Sequence, residues 1–249
     1  MVFESITIAH LIGGIIVFVA AVLGGIAGFG FALLCTPLLL IVGFPLSLIV
    51  PVNLSLALVS RISVAYRFRN HLNTRRVFLL VVSSFPGMYI GIWVLTLISS
   101  SILQAATGVV IMLAVLLMAR TPQQETTKPL AGAVYIAGLL GGFLGATTSL
   151  NGIPPALLLV RDQTSPRQFQ ANLALFFVMS NAITLFFLTT QQQIDFFTIL
   201  PIFMLWLPSV LLGSILGIVL STRLSTTVFR RMVLVIAFVA GAITVLSSL

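Results

Sequence analysis

The 249-residue chain is short of charge and shorter still of acid, with 12 Lys and Arg, 4 Asp and Glu, and 59% hydrophobic residues. Only 6% of its residues are charged, against about 25% in a soluble domain. It cannot cover itself with a hydrated surface, and the lipid bilayer is its expected surrounding. No acid falls within an apolar run: Glu4, Glu125, Asp162 and Asp195 stand at ends or in loops. The histidines, His10 and His71, are far apart in sequence, and Cys35 is the lone cysteine. There is no carboxylate pair for acid and base work, no triad and no cluster with metal-ligand spacing. These absences argue against an enzyme, a metal and a cofactor. Cys35 can form no intramolecular disulfide and reads as a small core residue. The start of the chain lacks a basic n-region, so its first apolar run is expected to stay in the protein.

What the chain has is apolar length, with a mean hydropathy of +1.23. At roughly 20 residues per spanning helix, the expected fold is an all-α polytopic membrane protein with about eight to ten membrane segments in a single transmembrane domain over 1–249. Polar punctuation divides the chain into apolar stretches near 6–27, 31–43, 46–66, 77–97 and 102–119, then 130–147, 153–160, 168–189, 196–220 and 228–247. In each half the second stretch is too short to span comfortably, so the first two segments of each half are expected to form a broken or hairpin-like helix pair.

The halves also match in detail. A shift of 117 positions sets Gly24, Gly25, Gly28 and Pro37 over Gly141, Gly142, Gly145 and Pro154. With small insertions, Asn53 and Leu54 fall on Asn172 and Leu173, and "FPGMYIG" (Phe85 to Gly91) falls on "LPSVLLG" (Leu207 to Gly213). An ordered series of Gly, Pro and Asn matches indicates an internal duplication, with a first repeat over 6–119, a cytoplasmic linker over 120–129 and a second repeat over 130–247.

A net charge of +8 would suggest nucleic acid in a soluble protein. Here the cations sit at the ends of apolar segments, so no nucleic-acid partner is expected and topology explains them better. The loop between the third and fourth segments holds Arg67, Arg69, Arg75 and Arg76, whereas its counterpart "TTQQQID" holds no cation. In the second half the cations sit instead in "RDQTSPR" and "STRLSTTVFRR". If basic loops face the cytoplasm, corresponding loops lie on opposite sides, which marks inverted repeats. Placing both termini in the periplasm puts all the Lys and Arg residues but Arg61 inside or at the inner boundary.

Candidate site residues are polar groups and backbone ends near the membrane centre. "GGIAGFG" lacks the spacing and βαβ setting of a dinucleotide fingerprint. Its Gly28 and Gly30 instead precede Phe31, where the short second segment begins, just as Ser149, Asn151 and Gly152 of "TTSLNG" precede Ile153. A helix that starts within the membrane aims unpaired N–H groups and the positive end of its dipole at whatever lies there. Two such starts would form a site for a small anionic substrate. The competing reading is close helix packing through small residues, which explains Gly24 and Gly25 well. Asn53 and Asn172, at matching positions of the third segments, are either substrate contacts or interhelical hydrogen-bond glue. Arg61 either snorkels to the interface or attracts the anion along its path.

On its glycine-rich first hairpin and following proline ("LGGIAGFGFALLCTPLL"), its Asn-bearing third segment, its basic loop into "FPGMYIG" and its second copy "LLGGFLGATTSLNGIPPALL", the chain resembles the sulfite exporter TauE/SafE family of membrane permeases. The resemblance covers essentially the whole chain, although Gly28-Phe29-Gly30 stands where members often show consecutive glycines. It implies transport of small sulfur-containing anions, such as sulfite or organosulfonates, across the bacterial cytoplasmic membrane. The expected function is export of such an anion by alternating access. An anion channel and a non-transport membrane scaffold or assembly protein are the alternatives, and a homo-oligomer is left open. The charge pattern predicts that alkaline phosphatase fused to the C-terminus is active in the periplasm; a fusion active only as a cytoplasmic reporter contradicts the topology.

Overall fold

A computed structural model describes residues 8–28, 30–120, 132–194, 196–221 and 226–248, with no strand among them. The described residues form α1 (Ile8–Ala27), α2 (Phe31–Val42), α3 (Leu46–Arg67), α4 (Thr74–Leu97), α5 (Ser100–Arg120), α6 (Ala133–Thr148), α7 (Ile153–Arg161), α8 (Pro166–Thr190), α9 (Phe196–Ser221) and α10 (Thr226–Ser247), with a 3-10 turn at Arg69–His71. These helices fall on the apolar stretches read from the sequence. Of the linker expected over 120–129, all but Arg120 lies outside the described residues, as do Glu4 and Asp195.

Among the described residues six helices, α1, α3, α4, α5, α8 and α9, are long and apolar enough to cross a membrane. By contrast, α2 and α7 have 12 and 9 residues. They reach only roughly 18 and 14 Å, short of a hydrocarbon core of about 30 Å. Each follows a break. Between α1 and α2 the chain turns through Gly28 and Gly30, at φ 77° and 99°, a left-handed conformation that glycine adopts without a Cβ penalty. Between α6 and α7 a serine takes that role. Ser149 has φ 61°, its N–H donates to the Gly145 carbonyl, and the Leu150 N–H reaches back to the Leu144 carbonyl, closing the end of α6.

Helix pairing is reciprocal. α1 lies along α9 and α6 along α4, α3 lies along α8, and α5 along α10; α3 also meets α9 as α8 meets α4. Exchanging α1–α5 for α6–α10 in order carries this set of pairings onto itself. Glycines set the close approaches. A Cβ on Gly87 or Gly142 would strike the carbonyl of Leu139 or Ser84 between α4 and α6. One on Gly213 or Gly217 would strike the carbonyl of Phe18 or Val22 between α9 and α1. Such backbone contact is how helices associate where no water drives them together.

The helix boundaries correspond about one turn later than the 117-residue shift that matches glycines, since α1 and α6 end at Ala27 and Thr148 and α2 and α7 begin at Phe31 and Ile153. A slip of four residues nearly restores the helix face, so the glycine pattern survives it. Gly24 and Gly145 then take equivalent places, each with its absent Cβ against the residues just beyond the break, Phe31 and Asn151. Gly25 packs on Gly217. Cys35 is fully buried in the core. Large apolar side chains such as Phe78, Trp93, Phe186, Leu212 and Val235 form an exposed outer surface suited to lipid.

Gly87→Ala and Gly142→Ala should each lower the melting temperature of purified protein, since overpacking a tight contact costs about 1–3 kcal/mol. Gly14→Ala, whose Cβ would meet its nearest neighbours at 3.5 Å and beyond, should leave the melting temperature unchanged.

Candidate anion site at two helix breaks

Both breaks open onto one cleft. Gly30 to Leu33 from the first break, Ser149 to Ile153 from the second, Asn53, Leu54, Ala57 and Arg61 of α3, and Phe177 and Asn181 of α8 line about 480 Å³ of space, open mouth included. Its walls are held by two sets of buried hydrogen bonds. In the first, Thr36 Oγ1 lies 3.0 Å from Ser149 Oγ, and Asn53 Nδ2 donates to both, at 3.1 and 3.4 Å. Thr36 Oγ1 also donates to the Thr148 carbonyl at 3.4 Å. In the second, Asn151 Nδ2 donates to Ser180 Oγ at 2.8 Å and Asn181 Oδ1 at 2.6 Å, while Asn181 Nδ2 donates to the Leu54 carbonyl at 3.2 Å. Both sets join α3 to the second break or to α8, so polar bonds tie the two halves of the chain together here.

Arg61 supplies the positive charge. It is 7% exposed, its Nη2 donates to the Gly24 carbonyl at 3.4 Å, and its guanidinium carbon lies 5.6 Å from the centre of the Phe177 ring. Gly24 is in the last turn of α1, where carbonyls lack intrahelical donors and the dipole is negative, so the cation also completes the first break. The acid among the described residues, Asp162, pairs with Arg76. Arg61 therefore has no carboxylate partner among the described residues. A buried cation without a counter-charge leaves a deficit that a bound anion would fill.

The two helix starts are not equivalent. The first intrahelical bond of α2 runs from the Leu34 N–H to the Gly30 carbonyl at 3.2 Å, so the N–H groups of Phe31, Ala32 and Leu33 precede it, and all three residues line the cleft. At the start of α7 the Ile153 N–H bonds to the Leu150 carbonyl, and Pro154 and Pro155 have no N–H. The second start brings the positive end of a dipole, but proline removes the row of donors that the first one keeps.

Seven of the residues singled out from the sequence, Gly30, Phe31, Asn53, Arg61, Ser149, Asn151 and Gly152, meet at the cleft. Gly28 is buried behind it, where a Cβ would press on Gln170 and Phe169. Asn172 stands apart: its Oδ1 accepts the Asn73 N–H at 2.9 Å, and its Nδ2 has no hydrogen-bond partner among the described residues. Asn53 and Asn172 thus share a place in the sequence pattern but not in the site. Thr36, Phe177, Ser180 and Asn181 were not foreseen. A polar residue before Pro37 and a Ser-Asn pair within an apolar run were the signals for three of them; Phe177 gave none.

The model of the sulfite exporter TauE/SafE family matches residues 13–244. The chain belongs to this family. A curated relative from Cupriavidus necator, described as a "Probable sulfite/organosulfonate exporter TauE", is 27% identical over 128 residues. The match covers 50% of each protein, so the chain spans about half the length of this relative. No solved structure matches. In this TauE/SafE family member, Asn151→Leu should remove two buried hydrogen bonds and strand the Asn181 amide oxygen. Each orphaned buried group costs about 1–3 kcal/mol, so thermal unfolding should begin well below that of the unaltered protein. Ser180→Ala, which leaves the Asn151–Asn181 bond in place, should shift it less.

Proposed function

We propose that the protein is a multi-pass permease of the bacterial cytoplasmic membrane that exports a small sulfur oxyanion, sulfite or an organosulfonate, through the cleft between its helix breaks. The observation that carries this reading is the buried Arg61, without a carboxylate partner among the described residues, on the same cleft as the first residues of α2. In this reading Arg61 supplies the counter-charge, Phe31 and the N–H groups beyond Gly30 cradle the anion's oxygens, and the Asn53, Ser149 and Asn151 side chains fix its orientation. Gly28 lets the chain turn, Gly152 makes room for the Phe177 ring, and Asn172 holds the connection at Asn73. The name of the Cupriavidus necator relative supports the substrate class.

The reciprocal helix pairing supports two inverted repeats, 6–119 and 130–247, moving against each other in alternating access. The basic connections at 67–76 and 161–167 support a cytoplasmic placement of that face, with both termini outside. Efflux of an anion from a cell that is negative inside is driven by roughly 2.3 kcal/mol per charge per 100 mV. Export therefore needs no coupling carboxylate, in keeping with the positions of the acids in the sequence.

The test combines binding with flux. Sulfite, thiosulfate, sulfoacetate or taurine should raise the melting temperature of purified protein, since a ligand of the folded state stabilises it by mass action, and Arg61→Ala should abolish that rise. In vesicles Arg61→Ala should cut anion flux by about a hundredfold, the effect of roughly 2.7 kcal/mol, while the amount of folded protein falls far less. Equal losses of flux and folded protein would make Arg61 structural only, and no stabilisation by any of these anions would count against the site.

A further inference from the structure

A second cavity lies back to back with the cleft. It offers about 580 Å³ of space, open mouth included, between the start of α3, the end of α4, the start of α5 and the end of α8, with Ser47, Ser100 and Gln193 on its wall. Ile98, Gln193 and Ile194 of the chain connections line it together with the first residues of α3, at the end of α3 opposite the Arg-rich connection. Val50 and Pro51 of α3 and Ala146 and Thr147 of α6 line it, while Asn53 and Leu54 of α3 and Ser149 line the cleft. The partition between the two spaces is thus about one helical turn, or about 5 Å. Leu54, at 1% exposure, fills its apolar part. The Thr36–Asn53–Ser149 hydrogen bonds fill the rest.

Both walls of the partition carry a weak point in the backbone. Pro51, inside α3, has no N–H to give the Ser47 carbonyl one turn earlier, and a proline within a helix kinks it or lets it bend there. Ser149, on the other side, ends α6 in the left-handed conformation at φ 61°, uncommon for a residue with a side chain. Asn53, Thr36 and Ser149 are joined side chain to side chain, at 3.0 to 3.4 Å, and Asn53 Oδ1 is buried with no hydrogen-bond partner among the described residues. A buried amide that satisfies its donor and strands its acceptor holds its position less firmly than one bonded at both ends.

We propose that the second cavity is the distal half of the anion's path and that the Thr36–Asn53–Ser149 cluster, with Leu54, is the gate between the halves, opening by bending at Pro51 and at the Ser149 break. This rests on the transport reading above. It assigns the anion a vestibule of hydroxyl and amide groups on the far side, with no cation of its own to hold it back.

Cysteine accessibility in sealed membrane vesicles of each orientation, in a Cys35→Ala background, tests the gate without requiring the substrate. The probe is sulfonatoethyl methanethiosulfonate, a membrane-impermeant thiol reagent that is itself a small sulfonate. Ser47→Cys should react from the vestibule face, and Ala57→Cys should react from that face about tenfold more slowly, because the gate is closed most of the time. Adding Thr36→Val, or separately Ser149→Ala, should raise the Ala57→Cys rate from the vestibule face about tenfold. Modification at Ser47→Cys should also block sulfite efflux. The Pro51→Ala variant should slow efflux severalfold while leaving the rise in melting temperature with sulfite unchanged. Ala57→Cys reacting equally from both faces with the cluster intact, or efflux unchanged after full modification of Ser47→Cys, would overturn the gate. Absence of sulfite efflux in the unaltered protein, with the accessibility pattern as expected, would instead count against the transport reading and leave the partition standing.

Discussion

Lipid offers no partner to a peptide N–H or carbonyl, and the structure depends on how this chain breaks its helices without leaving such groups exposed to the hydrocarbon. Both breaks lie inside the bundle, and each is closed by groups from elsewhere in the chain. Arg61 of α3 reaches the Gly24 carbonyl at the end of α1. The backbone at Ser149 and Leu150 folds back onto α6, and Thr36 of α2 reaches the Thr148 carbonyl. Arg61 lines the cleft that the breaks create, and Thr36 bonds to Asn53 and Ser149, which line it too. On the proposed transport reading, stability and anion binding draw on one set of residues.

The charge balance of the cleft sets what it can hold. A guanidinium removed from water and not met by a carboxylate is unfavourable by several kcal/mol unless dipoles and hydrogen bonds surround it. Here one carbonyl and one aromatic face do part of that work. The positive end of the α2 dipole, at Gly30 and Phe31 on the same cleft, adds to the positive field rather than offsetting it. This excess of positive charge is what the proposed site offers an anion. The amides and hydroxyls of Asn53, Asn151, Asn181 and Ser149 then shape the space without adding charge.

Much of the fold was legible before any coordinates. Apolar length gave the helices, and the short second stretch in each half gave the breaks, because the bilayer imposes a minimum span that α2 and α7 do not reach. Within the site, legibility followed chemistry. Gly30, Arg61 and Asn151 stood out as residues that an apolar segment does not ordinarily carry, and they meet at the cleft. Asn172 stood out for the same reason and went elsewhere, because a one-dimensional match records position along a helix but not which neighbour a buried side chain meets: Asn172 is buried against Asn73 instead. The prolines after Gly152 were visible in the sequence, yet their effect on the donor row becomes clear only when α7 is seen to begin at Ile153. Phe177 was hidden by its surroundings, since one phenylalanine among many apolar residues carries no mark until Arg61 is found beneath its ring.

The central claim is that the cleft at the two breaks holds an anion against Arg61, and the most direct measurement is a structure of the protein in its membrane-like environment with selenite as a heavy-atom stand-in for sulfite. The predicted result is an anomalous selenium peak in the cleft, with anion oxygens at about 2.8 Å from the Arg61 guanidinium, the distance of a charge-assisted hydrogen bond, and within reach of the first N–H groups of α2. A peak confined to the exposed Arg67, Arg69 and Arg75 around the connection of α3 to α4, with the cleft empty at a selenite concentration that saturates flux, would contradict it.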